Sequence, residues 1–339
     1  MSRIARRWYF NARPKATIEG DTLVLREEPL PALREGDILV RTLYLSLDAT
    51  NRVWISDWDI YMEPVHVGEP MRGFVVGEVV QSRNPAFAPG TLVAGLHTWS
   101  DYFVTDAQGF QSFARVAGLP LADTFGILTV AGPTAHYGLL SVGQPKPGDT
   151  VVVTAAAGAV GSLVGQLAKL KGCRAVGIAG SREKCRWLTD ELGFDAAVNY
   201  RAEPVLECLR RCCPNGIDVH FENVGGEALD AGLTLMNNFG RVVVCGLIST
   251  YNSTGTAAPG PYMFRNVIMR RLTVRGFVIL DHLDEYPRMT AELAQWMLEG
   301  KLRYRLHIVD GLENAAEALN LLYTGGNEGK LMVRIGAER

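Results

Sequence analysis

The stretch that decides the fold of this chain is VVVTAAAGAVG, residues 151–161. Its leading valines show no polar alternation, which is typical of a parallel strand that is covered on both faces. The small residues that follow permit a tight turn, and SLVGQLAKL, residues 162–170, places apolar side chains at helical spacing. The sequence therefore predicts a strand, a sharp turn and a helix in succession.

Such a turn is suited to binding the pyrophosphate of a dinucleotide. The free backbone N–H groups and the dipole at the start of a helix attract a phosphate group. The fingerprint G-x-G-x-x-G is present with Gly158 and Gly161, and Ala156 stands in the place of its first glycine. We therefore predict cofactor contacts from Gly158, Ala159, Val160 and Gly161.

The end of the second predicted strand, residues 174–180, favours NADP over NAD. An NAD-binding protein places an acidic side chain on the ribose 2′-hydroxyl about 20 residues after the glycines. Here Ser181 is followed by Arg182, Glu183 and Lys184. Positive charge and hydroxyl donors suit a 2′-phosphate, so we expect Ser181 and Lys184 to bind NADP(H). The alternative is that the two cations only solvate the next helix and that Glu183 serves a ribose.

Length, composition and charge set the broad class of the protein. A chain of 339 residues with 47% hydrophobic residues suggests two domains with substantial cores. Its formal net charge of −2 implies no general attraction to nucleic acids or membrane surfaces. The sequence has no apolar run long enough to span a bilayer, and its six cysteines form no C-x-x-C pair. We expect a cytoplasmic protein with reduced thiols and a small-molecule substrate.

The distribution of strand and helix patterns divides the chain. Residues 1 to about 120 are β-rich, with strand-like runs at 38–45, 73–80 and 91–95 between Pro/Gly turns. Beyond them a helical region at 125–140 precedes alternating strands and helices, which predict a doubly wound parallel α/β sheet. Its later strands are expected at residues 196–199, 218–222, 241–246 and 272–279. The last predicted strand, residues 331–335, has no place in that sheet and should return to the first domain.

Several motifs resemble those of one family. They are AAAGAVGS at 155–162, EKC at 183–185, FENVGG at 221–226 and CGLISTYN at 245–252, supported by LEGK at 298–301 and GNEGK at 326–330. Over nearly its whole length the chain resembles the medium-chain dehydrogenase/reductases. Within them it is similar to the zinc-independent group that contains leukotriene/prostaglandin reductases, plant alkenal double-bond reductases and bacterial curcumin reductases.

The resemblance implies a fold and a set of cofactor contacts. It implies a GroES-like catalytic domain, residues 1–122 and 305–339, and a Rossmann NADP-binding domain, residues 123–304. It implies that Lys184 and Tyr200 bind the 2′-phosphate region. From the residues alone, Tyr200 could equally pack on a loop and Asn223 could cap its own turn. The further cofactor contacts implied are Asn223, Cys245, Gly246, Ile248, Ser249, Tyr251, Phe277, Val278 and Asn327. Relatives are often dimers through sheet extension, for which residues 272–279 could offer an edge.

The sequence lacks the ligands of a catalytic zinc. Where zinc relatives carry a Cys and a Gly-His-Glu segment, this chain reads LSLDATNR at 45–52 and PMRGF at 70–74. His66 and His97 are isolated and are interpreted as surface or packed residues. Without a Lewis acid to stabilise an alkoxide, alcohol oxidation is disfavoured.

Reduction of an activated C=C bond makes a different demand. Hydride goes to the β-carbon of an enal or enone, and charge collects on the carbonyl oxygen, where hydrogen-bond donors suffice. A hydroxyl or water can then protonate the α-carbon. We therefore expect an NADPH-dependent 2-alkenal/enone reductase. A quinone reductase needs the same hydride site, and a non-catalytic NADPH-binding protein is the third alternative.

Tyr251 is the leading candidate for the hydrogen-bond donor, because it follows a strand at the carboxyl edge where open α/β sheets bind ligands. The alternative is that it only holds the loop or the nicotinamide ribose. Some relatives carry a second tyrosine in a D-P-Y-M-R segment, where this chain has Thr50. Asn51 could donate from its amide, or it could serve as an N-cap or in a turn. Tyr61 could form a pocket wall beside the apolar residues Trp54, Trp58 and Met62.

Overall fold

The structure is a computed structural model that describes residues 3–253 and 260–338. The chain divides into two compact units. The first unit comprises Met1–Phe125, His307–Gly326 and Leu331–Arg339, and the second comprises Gly126–Leu306 and Asn327–Lys330. The predicted domain limits differ from these units at residues 123–125, 305–306 and 327–330, and they stay a prediction.

Strands occur in both units. In chain order they are β1 (Ile4–Phe10), β2 (Leu23–Pro29), β3 (Ile38–Ser46), β4 (Arg72–Ser82), β5 (Leu92–Thr98), β6 (Tyr102–Thr105), β7 (Gln111–Ser112), β8 (Thr150–Val153), β9 (Arg174–Ala179), β10 (Ala196–Asn199), β11 (Ile217–Glu222), β12 (Met236–Val244), β13 (Thr273–Gly276), β14 (Leu306–Asp310) and β15 (Lys330–Arg334).

The α-helices are α1 (Thr50–Val53), α2 (Leu121–Gly126), α3 (Gly132–His136), α4 (Ala159–Leu170), α5 (Arg182–Arg186), α6 (Val205–Cys212), α7 (Gly226–Leu235), α8 (Asn266–Met269), α9 (Tyr286–Leu298), α10 (Ala315–Leu319) and α11 (Leu321–Thr324). Wider π-helical turns follow α2, α3 and α5 at Ile127–Ala131, Tyr137–Gly143 and Trp187–Glu191. The predicted helical region 125–140 is therefore the middle of a longer helical run. Short 3-10 turns lie at Ile248–Thr250, Ile279–Glu285 and Leu312–Asn314.

The first unit is built on an antiparallel sheet. Its strand order is β14-β15-β3-β4-β5-β7, with β6 also paired to β3, and β1 and β2 form a separate hairpin. Large aromatic side chains fill the core beneath this sheet, and Phe10, Trp99 and Phe103 are fully buried. Strand β15 pairs with β3 through Met332 opposite Ser46, which confirms that the last strand returns to the first unit.

The second unit contains the predicted doubly wound sheet. Its strands are parallel, in the order β10-β9-β8-β11-β12-β13. The chain moves outward from β8 in one direction and from β11 in the other, so the strand order reverses between these two strands. Val151, Val152 and Val153 of β8 are all fully buried, as their unbroken apolar run predicts. Ligands bind such sheets at the carboxyl ends of the strands beside the reversal.

The outermost strand of this sheet is shorter than predicted. Residues 272–279 were expected as a strand, but β13 covers only Thr273–Gly276. The parallel ladder with β12 ends where Gly276 lies opposite Val244, and a 3-10 turn begins at Ile279. Among the described residues, no helix is long and apolar enough to cross a membrane.

Candidate dinucleotide-binding site

The loop between β8 and α4 has the form that a phosphate site requires. The N–H of Gly158 donates to the carbonyl oxygen of Ala155 at 2.9 Å, and the N–H of Ser162 donates to the carbonyl oxygen of Gly158 at 3.1 Å. Helix α4 therefore begins directly at the loop. Gly158, Ala159 and Val160 are half-exposed, so the first turn of α4, with its N–H groups and positive dipole end, is open to a ligand.

The fold requires a glycine at position 161 of the fingerprint but accommodates the alanine at position 156. A Cβ atom on Gly161 would lie 2.5 Å from the carbonyl oxygen of Ala155. Ala156 is buried, and its N–H donates to the carbonyl oxygen of Ile178 at 2.9 Å. Its methyl group has room because the neighbouring strand offers Gly177, where a Cβ atom would lie only 2.8 Å from that of Ala156. The glycine missing from the loop is thus compensated on β9.

The loop between β8 and α4, residues 154–158, is called the phosphate loop below. The segment Asn327–Lys330 joins it from a distant part of the sequence. The N–H of Gly329 donates to the carbonyl oxygen of Ala157 at 3.1 Å, and Gly329 forms a parallel bridge with Gly158. The buried side chain of Asn327 donates from Nδ2 to the carbonyl oxygen of Gly329 at 3.0 Å. This predicted contact residue therefore lies beside the loop, and its contact with a cofactor stays a prediction.

Ser181 and Glu183 form a helix cap after β9. The Oγ atom of Ser181 accepts the N–H of Lys184 at 3.2 Å, which fixes the start of α5. The N–H of Glu183 and the hydroxyl of Ser181 both donate to the Glu183 carboxylate and lower its pKa. Glu183 is therefore engaged in the cap at the start of α5, and the cofactor contacts of Ser181 and Lys184 stay a prediction.

Three side chains converge beyond this cap. Lys184 is half-buried, and burial lowers the pKa of its ammonium group. The charge of Glu328 acts in the opposite direction, and the charge of Arg201 lowers this pKa further. The ring and hydroxyl of Tyr200 lie 3.0 Å from the position of a Cβ atom on Gly180. The Arg201 guanidinium is 5.5 Å from the centre of the Tyr200 ring. Arg201, which sequence reasoning missed although it directly follows Tyr200, thus lies beside the Tyr200 ring and within electrostatic reach of Lys184. Binding of the 2′-phosphate by Lys184 and Tyr200 stays a prediction.

Asn223 is fixed to the phosphate loop at the end of β11. Its backbone N–H donates to Thr154 Oγ1 at 2.7 Å, and its Nδ2 donates to the carbonyl oxygen of Thr154 at 2.7 Å. The amide is used across the two loops, whereas the sequence left open a turn capped by that amide alone. A contact of Asn223 with the cofactor stays a prediction.

The loop after β12 is held against the loop after β11. The N–H groups of Ile248 and Ser249 donate to the carbonyl oxygens of Asn223 and Val224 at 3.1 and 3.0 Å. The Ser249 hydroxyl also donates to the carbonyl oxygen of Val224 at 2.5 Å. In the same loop, burial and the nearby Glu222 raise the pKa of the Cys245 thiol to about 12, so this thiol is neutral.

Tyr251 closes the same loop. Its hydroxyl oxygen accepts the N–H of Leu247 at 3.1 Å and lies 3.1 Å from the position of a Cβ atom on Gly246. The contact with Leu247 supports the interpretation that Tyr251 holds the loop. The predicted donation to a substrate stays a prediction, and the two functions are compatible because a phenolic oxygen can accept while its proton is donated elsewhere.

Phe277 and Val278 follow β13 at the carboxyl edge of the sheet and are half-exposed. The Phe277 ring packs closely on the preceding helical run, because a Cβ atom on Gly138 would lie 2.6 Å from its Cζ atom. Tyr137 lies 5.6 Å away, centre to centre. These two predicted cofactor residues thus stand at the edge where the other predicted residues of this unit lie.

In the first unit, Tyr61 belongs to a chain of polar contacts. Its hydroxyl oxygen accepts the N–H of Trp54 Nε1 at 3.0 Å and lies 2.5 Å from Thr50 Oγ1. Tyr61 is 49% exposed, whereas the Trp54 ring is buried. Thr50, at the position of the second tyrosine of some relatives, is therefore coupled to a tyrosine elsewhere in the same segment.

Asn51 is completely buried in the short helix α1. Its Oδ1 accepts the N–H of Asp48 at 2.8 Å, and its Nδ2 donates to the carbonyl oxygen of Arg72 at 3.3 Å. The structure thus shows the turn function that the sequence left open. A contact of Asn51 with substrate stays a prediction.

Comparison with known proteins identifies the family. Residues 6–113 match the family described as the N-terminal domain of oxidoreductase, and residues 159–296 match that described as zinc-binding dehydrogenase. The chain is 40% identical over 338 residues to the NADPH-dependent curcumin reductase of Escherichia coli (strain K12), covering 98% of this chain and 97% of that protein. The chain belongs to the zinc-independent medium-chain dehydrogenase/reductases.

Two further relatives support this identification, which confirms the family predicted from the sequence. Prostaglandin reductase 1 of Bos taurus is 39% identical over 314 residues, which cover 91% of this chain and 93% of that protein. The crystal structure of CurA from Vibrio vulnificus in complex with NADPH matches with a TM-score of 0.92 and 39% identity, over 98% of this chain and 100% of that one.

His97 and His66, the two histidines of the first unit that the sequence leaves isolated, are engaged in packing and in a surface contact respectively. His97 stacks on Phe103 with the ring centres 3.9 Å apart, and burial lowers its pKa to about 4. The exposed His66 pairs with Glu63 at 2.9 Å. Within residues 3–253 and 260–338, His, Cys, Asp and Glu form no group of three that could hold a metal ion.

Proposed function

We propose that this protein uses NADPH to reduce the C=C bond of α,β-unsaturated aldehydes and ketones, with hydride added to the β-carbon and no metal. The observation that carries this proposal is the full-length similarity to a curcumin reductase. Curcumin is an extended molecule whose C=C bonds are conjugated to carbonyl groups. Enals and enones share that chemistry, so they are the substrate class that we assign.

The protein is an NADP(H)-dependent oxidoreductase. The cofactor supplies the hydride when it is bound. The residues of the second unit suit it: the open first turn of α4 can receive the pyrophosphate. Lys184 and Arg201 can offer positive charge to the 2′-phosphate, and the hydroxyl of Tyr200 can donate a hydrogen bond to it.

The substrate carbonyl oxygen needs hydrogen-bond donors as it gains negative charge. Each unit offers a candidate. In the second unit the phenol of Tyr251 can donate while its oxygen accepts from Leu247. In the first unit, Trp54 Nε1 only donates, so the Tyr61 oxygen accepts from it. One of the two protons of the Thr50–Tyr61 pair lies between the hydroxyls, and the other points away from that bond.

The experiment that tests this function compares three substrate classes with the same enzyme. Consumption of NADPH is followed with a trans-2-alkenal, a ring-substituted enone and a quinone in parallel. We expect the enal and the enone to be reduced, with deuterium from C4-deuterated NADPH found on the β-carbon by mass spectrometry and NMR. Turnover of the quinone alone would indicate a quinone reductase. NADPH binding with no turnover of any of the three would indicate a non-catalytic protein.

We also propose that the protein is a homodimer through the edge of the parallel sheet. Every residue of β13 is exposed, and Tyr262, Ile268 and Met269 nearby are 77%, 74% and 59% exposed. An open strand edge beside apolar side chains favours pairing with a second copy about a two-fold axis. Light scattering should report a dimer for the wild type and a monomer for Ile268→Glu, and a monomeric wild type would contradict the proposal.

The cytoplasmic location stays a prediction.

A further inference from the structure

Glu222, the last residue of β11, carries a carboxylate that is enclosed in the second unit. Glu222, His220 and Thr154 are each fully buried. Glu222 Oε2 lies 2.7 Å from His220 Nε2, and Oε1 accepts the Thr154 hydroxyl at 2.8 Å. Because Thr154 is the first residue after β8, this carboxylate is attached directly to the phosphate loop.

The same residue also holds the next two loops. Glu222 Oε1 accepts the N–H groups of Val224 and Gly225 at 2.5 and 2.9 Å, so the side chain fixes the loop that follows β11. Its backbone carbonyl oxygen accepts the N–H groups of Cys245 and Gly246 at 2.9 and 3.1 Å. One residue is therefore bonded to three loops, all at the carboxyl ends of adjacent strands.

The charge of Glu222 is maintained despite its burial. Burial would raise the pKa of the carboxyl group, but the contact with His220 and the N–H groups of Gly225 and Val224 together hold it below its usual value. Replacing both partners of a buried hydrogen bond by apolar groups of the same shape can be nearly neutral or stabilising. Stability alone therefore gives little reason for a carboxylate here, whereas fixing the geometry of the attached loops does.

His220 is confined so that it serves this carboxylate. A Cβ atom on Gly232 of α7 would lie 2.6 Å from His220 Cε1, so the helix packs directly on the imidazole ring. An ionised carboxylate only accepts, so His220 Nε2 carries the proton of their hydrogen bond. Nδ1 is buried and has no hydrogen-bond partner in the described part of the chain. The side chain thus directs its one hydrogen bond to Glu222.

We propose that Glu222, oriented by His220, is a positioning residue that sets the phosphate loop, residues 223–226 and residues 245–251 in the arrangement that binds NADP(H). It acts through these loops, because neither side chain reaches the surface. The proposal rests on the NADP(H) dependence of the protein. The experiment that tests it measures cofactor binding and needs no turnover. Its result is therefore independent of whether enals and enones are the substrates.

The test measures the Kd of NADPH by fluorescence titration of Glu222→Gln, which keeps the size of the side chain and removes its charge. We expect Kd to rise by about tenfold, the loss that follows when a charged hydrogen-bond network is broken. The increase in melting temperature caused by NADPH should shrink as well, because weaker binding stabilises the folded protein less.

A matched control separates positioning from general destabilisation. His136 and Glu292 form another His–Glu contact in the same unit, at 2.8 Å, with the His136 side chain buried. We expect His136→Gln to lower the melting temperature of the free protein and to leave the Kd of NADPH within about twofold of the wild type. An equal rise of Kd in His136→Gln and Glu222→Gln would overturn the proposal.

Variants of Thr154 test the same link without changing the hydrogen bond between Glu222 and His220. Thr154→Val keeps the shape but removes the hydroxyl that Glu222 and Asn223 share, and Thr154→Ser restores it. We expect a weaker Kd for Thr154→Val and recovery in Thr154→Ser. Should Glu222→Gln not fold, wild-type binding by Thr154→Val would still reject the proposal.

Discussion

Gly161 faces the carbonyl oxygen of Ala155 so closely that a Cβ atom on Gly161 would lie 2.5 Å from it. The obstacle is backbone, which no side-chain rotation can move. Ala155 is itself held in a left-handed conformation with φ of 48°, which leaves the loop little freedom to adjust. The start of α4 can therefore pack on the phosphate loop only because residue 161 has no side chain.

Gly161→Ala should separate α4 from the loop and weaken NADPH binding by at least about tenfold, with a loss of about 1–3 kcal/mol in the free energy of unfolding. Gly158→Ala is the graded comparison, because its Cβ atom would meet the same oxygen at 3.2 Å. NADPH titration and urea unfolding of both variants test whether Gly161→Ala weakens binding and stability more than Gly158→Ala. A Gly158→Ala variant that is worse than Gly161→Ala would contradict this account of the loop.

Lys184 and Arg201 should together determine the preference for NADPH over NADH. If both side chains bind the 2′-phosphate as proposed, Lys184→Ala and Arg201→Ala should each raise the KM of NADPH by about tenfold or more, because each removes a positive charge from that site. The KM of NADH, which lacks that phosphate, should change little. Arg182→Ala is the control, since Arg182 is exposed at the start of α5. Equal effects on both cofactors would reject the assignment.

The hydroxyl pair of Thr50 and Tyr61 should contribute to turnover. Tyr61→Phe removes the oxygen that accepts from Trp54 Nε1, and Thr50→Val removes its partner at 2.5 Å. If the pair donates to the substrate oxygen, either variant lowers kcat with the enal by about tenfold to a hundredfold. NADPH binding should not change. Thr50→Ser, which keeps the hydroxyl, is the matched control and should retain most of the activity.

Tyr251→Phe distinguishes its two possible functions. A donor to the carbonyl oxygen predicts that kcat falls by about a hundredfold with little change in the KM of NADPH. A purely loop-holding tyrosine predicts the opposite pattern, because the lost contact with the N–H of Leu247 would loosen the loop after β12. Steady-state kinetics with varied NADPH and saturating enal separates them, and an unchanged kcat would remove Tyr251 from the chemistry.

The sequence predicted the parts of this protein that depend on local pattern. The unbroken valines of β8 and the helical spacing after Gly158 were sufficient for the strand and the helix, and β10 covers the predicted residues 196–199. Strand β12, predicted at residues 241–246, instead covers Met236–Val244. What local pattern could not give is pairing across the chain. The compensation of Ala156 by Gly177 depends on which strand lies beside β8. The end of β13 depends on where the ladder with β12 stops.

The same limit applies to the site. Lys184 could be named because it follows a strand by a known interval, but Arg201 gained its significance only when the pairing of β10 with β9 placed it near Lys184. From the sequence, Glu222 is only the last residue of a predicted strand within the motif FENVGG. Its connection to three loops is a property of the folded backbone, since the bonds run to residues as far apart as Thr154 and Gly246.

His97 should make the protein less stable in acid. Its side chain is packed on Phe103, and burial, with a smaller contribution from the charge of Arg7, lowers its pKa from 6.5 to about 4. Between these values the unfolded chain binds a proton that the folded protein does not bind, so the free energy of unfolding falls as the pH falls. Once the pH is below both pKa values, the free energy of unfolding has fallen by about 3 kcal/mol, whereas at neutral pH it has not yet fallen.

Urea unfolding of the wild type and His97→Gln between about pH 7 and about pH 4.5 isolates this contribution from that of the carboxylates, which titrate in both proteins. We expect the variant to be less stable at neutral pH, because the stacking on Phe103 is lost, and to lose less stability on acidification. The two curves should therefore converge as the pH falls. Parallel curves over this range would mean that His97 titrates equally in the folded and unfolded chains, and burial would then not control its protonation.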